Sequence, residues 1–406
     1  MRMKFNKSGQ LLLVSAASLL VAGLVTACGT LTVDFVFVSS SKAAGPNNYG
    51  ELNVFEVNSE SGFMRQIPTS PFPSGGRNPV AEAVSADHQN LYVVNQDDNT
   101  IVQFIIGNDG KLYPETTTNT PGIFPMAVAV TGSNLFVVDT YQPLPTCSTA
   151  APCSGSVAAY PIQAAIGTGS TAVPAGTLGA AAANGGINYW PLALAGKNAA
   201  DVLAPTGIAA LPSGAEIFAT AYDTTVNGGA GYIFAYTVGS GGVLAPAAGS
   251  PWATGAGTHP SSAAVDPTGT YLYVTDSANG SVLGYTIASG APLAGSPFPA
   301  GNQPSAMVVD PTSNYAFVTN TGDSTVTAYS TSNGALKRLG AFTTGLQPVA
   351  IGLDPSTNHF LYTANFLGNN VSGFELTTTN GPLINTQNTP YASNAQPTAV
   401  AAIPHK

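Results

Sequence analysis

Few side chains of this 406-residue chain are equipped to move protons or hold charge, and three of them stand out by context. Glu82 is the single carboxylate in the apolar run PVAEAV at 79–84. A carboxylate among apolar groups is costly unless paired or solvated, and its pKa is expected to rise. Arg77 lies five residues upstream, where a guanidinium could pair with it. His259 opens a similar run, HPSSAAVD, and an imidazole can exchange a proton near neutral pH. An Arg77–Glu82 pair with His259 across from it is the candidate catalytic set; a purely structural ion pair is the competing reading. Asn78, Gln303, Gln347 and Gln396, together with His259, each precede a proline. Their amides could bind sugar hydroxyls or peptide groups, or could satisfy strand-end backbone. His88 and His359 fall in turns and His405 in the tail, so no metal site and no cofactor is expected.

The frame that must position these residues is a repeat. Seven prolines, Pro79, Pro125, Pro205, Pro260, Pro304, Pro348 and Pro397, open similar segments spaced 46, 80, 55, 44, 44 and 49 residues apart. Each segment begins with a short run of small and apolar residues, as in PSAMVVD at 304–310. A turn follows, in which Asp266, Asp310 and Asp354 cap their own backbone. Next comes a strand of alternating aromatic and β-branched residues: LYVVN at 91–95, LFVVD at 135–139, LYVTD at 272–276, AFVTN at 316–320 and LYTAN at 361–365. A third strand is centred on Phe55, Phe104, Tyr160, Tyr236, Tyr285, Tyr329 or Phe374, and a variable fourth often ends in a proline–aromatic pair. Alternation punctuated by turns is the signature of half-buried antiparallel strands. Four strands at a period of 40–50 residues make a propeller blade.

The two ends of the repeat complement each other. FVFVSS at 35–40, ELNVFEV at 51–57 and MRQIP at 64–68 match second, third and fourth strands with no first strand before them. Pro397 opens PTAVAAIP, a first strand with nothing after it. The expected fold is therefore all-β, a seven-bladed propeller of four-stranded antiparallel blades whose ring closes where both ends share one blade. The long interval predicts a loop insertion at about 140–204, carrying CSTAAPC and an Ala/Gly-rich stretch with Asn188-Tyr189-Trp190 embedded. It is expected to be a surface excursion, either a plain loop or a cap over one face.

The N-terminus carries an address. Arg2, Lys4 and Lys7 precede an apolar run from Leu11 to Leu24, and Val25-Thr26-Ala27-Cys28 resembles a lipobox. The expectation is a lipoprotein signal peptide at 1–27, lipidation of Cys28, a tether at 28–34 and the propeller at 35–406. Acyl chains would hold the protein to a membrane without spanning it, at the outer membrane or periplasmic face of the envelope. Cys147 and Cys153 then read as a disulfide of an oxidising compartment. Charged residues make up only 8% of the chain. Without Arg2, Lys4 and Lys7, eight cationic residues face twenty acidic ones, which argues against nucleic-acid binding.

The YVTN-like second strands and proline-led first strands resemble the seven-bladed propeller lactonase family, which includes 6-phosphogluconolactonases. The resemblance covers most of the chain after the leader and implies metal-independent lactone hydrolysis or isomerisation. Family catalysis is associated with His, Arg and Glu at the channel mouth, and several family units carry His or Arg just after the leading proline. Here those positions are Val80, Met126, Thr206, Ser261, Ser305, Val349 and Thr398. The expected function is therefore a monomeric, envelope-anchored scaffold binding a glycan, a small molecule or an envelope protein. A lactonase-like enzyme with an atypical site is the alternative.

Overall fold

The computed structural model describes residues 32–169, 172–195, 202–225, 229–377 and 383–405; the leader at 1–27 and Cys28 lie outside the described residues. Seven antiparallel sheets follow one another along the chain. Six of them use consecutive strands. The seventh joins Pro397–Pro404 to Thr32–Ala44, Tyr49–Asn58 and Met64–Gln66. This closing blade is blade 1, and blades 2 to 7 follow in chain order. Their inner strands are Pro79–Val84, Ile123–Val130, Leu203–Ala210, Pro260–Val265, Pro304–Val309 and Pro348–Leu353. Each inner strand contacts those of the two neighbouring blades, and Pro397–Pro404 contacts both blade 7 and blade 2, so the ring is closed.

The register explains the periodicity. In every blade the residue three places after the leading proline faces the middle of the second strand: Glu82 faces Val93, Val128 faces Val137 and Met307 faces Val318. All seven third-strand aromatics are buried between blades. Between blades, a left-handed glycine in the turn before the outer strand packs against the start of the neighbouring second strand. A Cβ on Gly334 would lie 2.7 Å from the Tyr271 ring, and one on Gly62 would lie 2.6 Å from the Phe360 ring. Four blades end in a cis Ser/Thr–Pro followed by an aromatic residue, at Pro71, Pro251, Pro297 and Pro390. In each, the Ser or Thr hydroxyl accepts a hydrogen bond from a third-strand amide, as from Ala235 N–H to Ser250 Oγ at 3.0 Å.

The insertion divides between the two faces of blade 3. The Cys147–Cys153 disulfide, with Cα atoms 5.5 Å apart, closes a loop between Asn134–Tyr141 and Ser156–Pro161 on the face where the leading prolines start. Residues 162–169 and 172–189 lie on the opposite face, where the stretch around Gly176 packs against blade 2. There the Tyr92 hydroxyl donates to Gly176 O at 2.6 Å and Leu178 is buried beside Tyr92, while Ala182 is buried between blades 3 and 4. In blade 6 the equivalent clasp is Tyr273 of blade 5 donating to Gly334 O at 2.9 Å. The described part of the excursion thus does the work of an ordinary blade turn. Trp190-Pro191 supplies the fourth strand of blade 3, pairing with Val157 and Ser156. The surface excursion expected at about 140–204 thus includes the fourth strand of a blade.

Candidate functional site

The leading prolines define one mouth of the ring. The residue before each proline is held by its backbone. Asn78, Phe124, Gln303, Gln347 and Gln396 have φ between 52° and 60°, and a bulge follows each leading proline. Their carbonyls are engaged. Gln96 N–H donates to Asn78 O at 2.9 Å, Thr321 N–H to Gln303 O at 3.0 Å and Phe366 N–H to Gln347 O at 2.9 Å. The amide side chains share the mouth but not one role. Asn78 Nδ2 donates to Gln96 at 3.1 Å and to Asp97 at 3.2 Å, and Gln396 Oε1 accepts from Ser41 Oγ at 3.3 Å. Gln303 is exposed and Gln347 half-buried.

The three candidates for proton chemistry do not meet. Arg77 turns to the rim of blade 2, where its Nε and backbone N–H each donate to Asp98 at 2.7 Å. Glu82 turns into the junction between blades 1 and 2. Its carboxylate accepts from the Ser39 hydroxyl and faces the Ala401 backbone, on a strand whose Ala399 and Ala401 leave room for it. Burial pushes the Glu82 carboxyl up to about 7, against those hydrogen bonds. The expected Arg77–Glu82 pair is absent, because alternation points Glu82 at blade 1 while Arg77 precedes the strand and is caught by a nearer acid. His259 stands at the junction of blades 4 and 5. Its ring stacks on Tyr222 at 4.6 Å and 23°, and its backbone N–H donates to Asp276 at 2.9 Å.

Hydroxyls occupy four of the positions after the prolines; Thr206 meets Thr220 within blade 4 at 2.9 Å, and the other three have a task between blades. Ser261 Oγ donates to Pro304 O at 2.6 Å, Ser305 Oγ to Pro348 O at 2.9 Å and Thr398 Oγ1 to Pro79 O at 2.8 Å. Each clasps one blade to the next around the channel.

Several rim residues escaped the sequence reading. Tyr222 extends the second strand of blade 4 beyond its usual end, opposite Ala204. Phe124 and Tyr141 meet edge-on at 6.1 Å. Leu346 and Leu367 are 62% and 60% exposed. The aromatic strand extension was visible as FATAYD; the exposed leucines sat in loops with no period to flag them. Asp139 was read only as a strand end. Burial pushes it up to about 7 despite hydrogen bonds from Thr120 and Gly122. Among the described residues, no three His, Cys, Asp or Glu converge as a metal's donor set would.

Fold and mouth define a seven-bladed β-propeller of the proline-led type. Residues 224–401, from blade 4 to the closing strand, match the family model Lactonase, 7-bladed beta-propeller, which upholds the resemblance carried by the repeats. The periplasmic gluconolactonase PpgL of Pseudomonas aeruginosa superposes with a TM-score of 0.68 at 17% identity, over 92% of this chain and 99% of that one. A candidate 6-phosphogluconolactonase from Bacteroides fragilis gives 0.68 at 16%, over 92% and 99%. At such identities the likeness is one of fold. No curated protein matches the chain.

Proposed function

We propose that this chain is an exported, lipid-anchored propeller that opens a lactone ring at the proline mouth. The observation that carries the reading is His259, the one imidazole among the seven pre-proline residues, stacked on Tyr222 at the mouth of a lactonase-type ring. The family match over blades 4–7, the lipobox at 25–28 and the disulfide support it. In this mechanism His259 takes a proton from water, and the resulting hydroxide adds to the lactone carbonyl. The developing oxyanion receives hydrogen bonds from the amides of Gln303 and Gln347 on the next two blades. The ring C–O bond then breaks, and the departing alkoxide takes the proton back from the imidazolium, giving a hydroxy acid.

The test is hydrolysis of sugar and aliphatic lactones by the purified chain beside His259→Ala and Glu82→Gln. The expected result is turnover lost by about a hundredfold or more in His259→Ala, the scale of a missing general base. Glu82→Gln should retain it, since that carboxyl lies between blades. Wild-type rates equal to the uncatalysed rate would overturn the reading. A second reading, a glycan- or protein-binding scaffold, is favoured by the clasping role of Ser261, Ser305 and Thr398. It predicts no turnover together with ligand binding that Gln303→Ala and Gln347→Ala weaken.

A further inference from the structure

The mouth is not uniform, and its unevenness bears on the substrate. At the position two residues before the leading proline, blade 2 carries Arg77, blade 6 Asn302 and blade 7 Leu346. The facing loop after the second strand supplies a partner in each case. Arg77 binds Asp98, and Asn302 N–H donates to the carboxylate of Asp323 at 2.5 Å. In blade 7 the loop brings Leu367 beside Leu346, with Gly368 N–H donating to Leu346 O at 3.0 Å. Two neighbouring leucines, 62% and 60% exposed, therefore stand at the rim where blades 2 and 6 place a charged or polar group held by an acid.

The charges point the same way. Among the described residues, this face carries two cations, Lys42 and Arg77, against Asp97, Asp98 and Asp323 in its loops and Glu51, Asp139, Asp223 and Asp276 at its strand ends. Arg77 is committed to Asp98. Recognition of a phosphate draws on cations or clustered backbone N–H groups, and an acidic rim repels it.

Resting on the lactonase-like reading above, we propose that the substrate is an uncharged lactone bearing an apolar substituent, seated on Leu346 and Leu367. These two residues then determine specificity and leave the chemistry to the mouth. Burying the outer part of two leucine side chains against an alkyl group is worth about a tenfold gain in affinity.

The test compares δ-decalactone, glucono-δ-lactone and its 6-phosphate as substrates for the wild type and for Leu346→Asn/Leu367→Ser. Both leucines are exposed, so the double variant keeps the fold. The expected order of kcat/KM is decalactone, then gluconolactone, then the phosphate. The double variant should raise KM for decalactone about tenfold, leaving kcat and the gluconolactone parameters unchanged. Preference for the phosphorylated lactone, or a decalactone KM untouched by the double variant, overturns this proposal while leaving lactone hydrolysis standing. In parallel, calorimetry with the corresponding lactam, which resists hydrolysis, reads the rim without turnover. Binding weakened about tenfold in the double variant upholds the apolar seat even if no lactone is opened, in which case only the enzyme reading falls. Equal binding by both proteins overturns the seat.

Discussion

The junction between blades 5 and 6 and the junction between blades 7 and 1 come from one repeat yet are closed by different chemistry. At the first, Ser261 clasps Pro304 at the proline mouth, and the Tyr273 hydroxyl reaches Gly334 O on the opposite face. Asp310 spends its carboxylate on its own turn, accepting from Asn314 N–H at 2.8 Å and Tyr315 N–H at 2.6 Å. At the second, Val349 offers no hydroxyl at the mouth. On the opposite face Asp34, from the strand that begins the ring, meets Asp354 from the turn of blade 7. Ser356 bridges them, its hydroxyl donating to Asp34 and approaching Val33 O at 3.1 Å and its backbone N–H donating to Asp354 at 2.7 Å. The Tyr362 hydroxyl, equivalent to that of Tyr273, is buried beside the two acids. Burial and the facing Asp354 push the Asp34 carboxyl up to about 8. Asp354 is buried too, but hydrogen bonds from Asp34 and Thr357 hold it below the ordinary range. The shifts are those of a protonated Asp34 carboxyl hydrogen-bonded to an ionised Asp354. The junction between blades 5 and 6 is thus closed by hydroxyl clasps, whereas the seam brings together two carboxyls, one of them pushed up by burial.

The comparison breaks most severely if the closing strand is removed. Deleting residues 397–405 leaves Thr32–Ala44 with an unpaired inner edge and blades 7 and 2 without a common neighbour. The expected outcome is loss of the cooperative thermal transition and of the near-ultraviolet circular dichroism signal. A retained cooperative transition would mean that the ring does not depend on the shared blade.

The next effect is on pH. Asp34, Glu82 and Asp139 all have folded pKa values above the unfolded value, at about 8, 7 and 7. Each therefore stabilises the fold fully below the ordinary carboxylate pKa, and that contribution is lost as pH rises through its folded pKa. Stability should increase by about 3 kcal/mol or more from pH 8 to pH 5, read by urea unfolding. Asp34→Asn should flatten the alkaline end of that profile. A profile flat from pH 5 to 8 in the wild type would remove the proton from the seam.

The smallest effect sharpens the contrast from the internal side. Ser261→Ala removes one neutral clasp and should cost about 1 kcal/mol at every pH from 5 to 8. A pH-dependent loss would place a titrating group at that junction as well.

The blade count, the shared blade and the seven third-strand aromatics were legible because a propeller repeats one short pattern, and alternation with turn residues is a local property. Asp266 and Asp310 were legible as turn caps for the same reason: their partners lie within five residues. Asp354 was read correctly as a cap, accepting from Ser356 N–H at 2.7 Å, but its second role needed Asp34, 320 residues away in sequence. The Arg77–Glu82 pairing failed because nearness in sequence stood in for direction. The bulge after Pro79 and the strand alternation send the two side chains to different neighbours.

By itself the sequence determined the ring: seven proline-led units, a split first blade and an acidic chain with few cations. Those features follow from period, turn chemistry and composition, which act over a few residues at a time. The tertiary structure decided which residues share a mouth. It placed His259 on Tyr222, Glu82 between blades rather than beside Arg77, and two exposed leucines on the rim of blade 7. It also set the proton at the seam. Such choices depend on which blade faces which and on how fully a carboxyl is withdrawn from water, and neither is written in any single repeat.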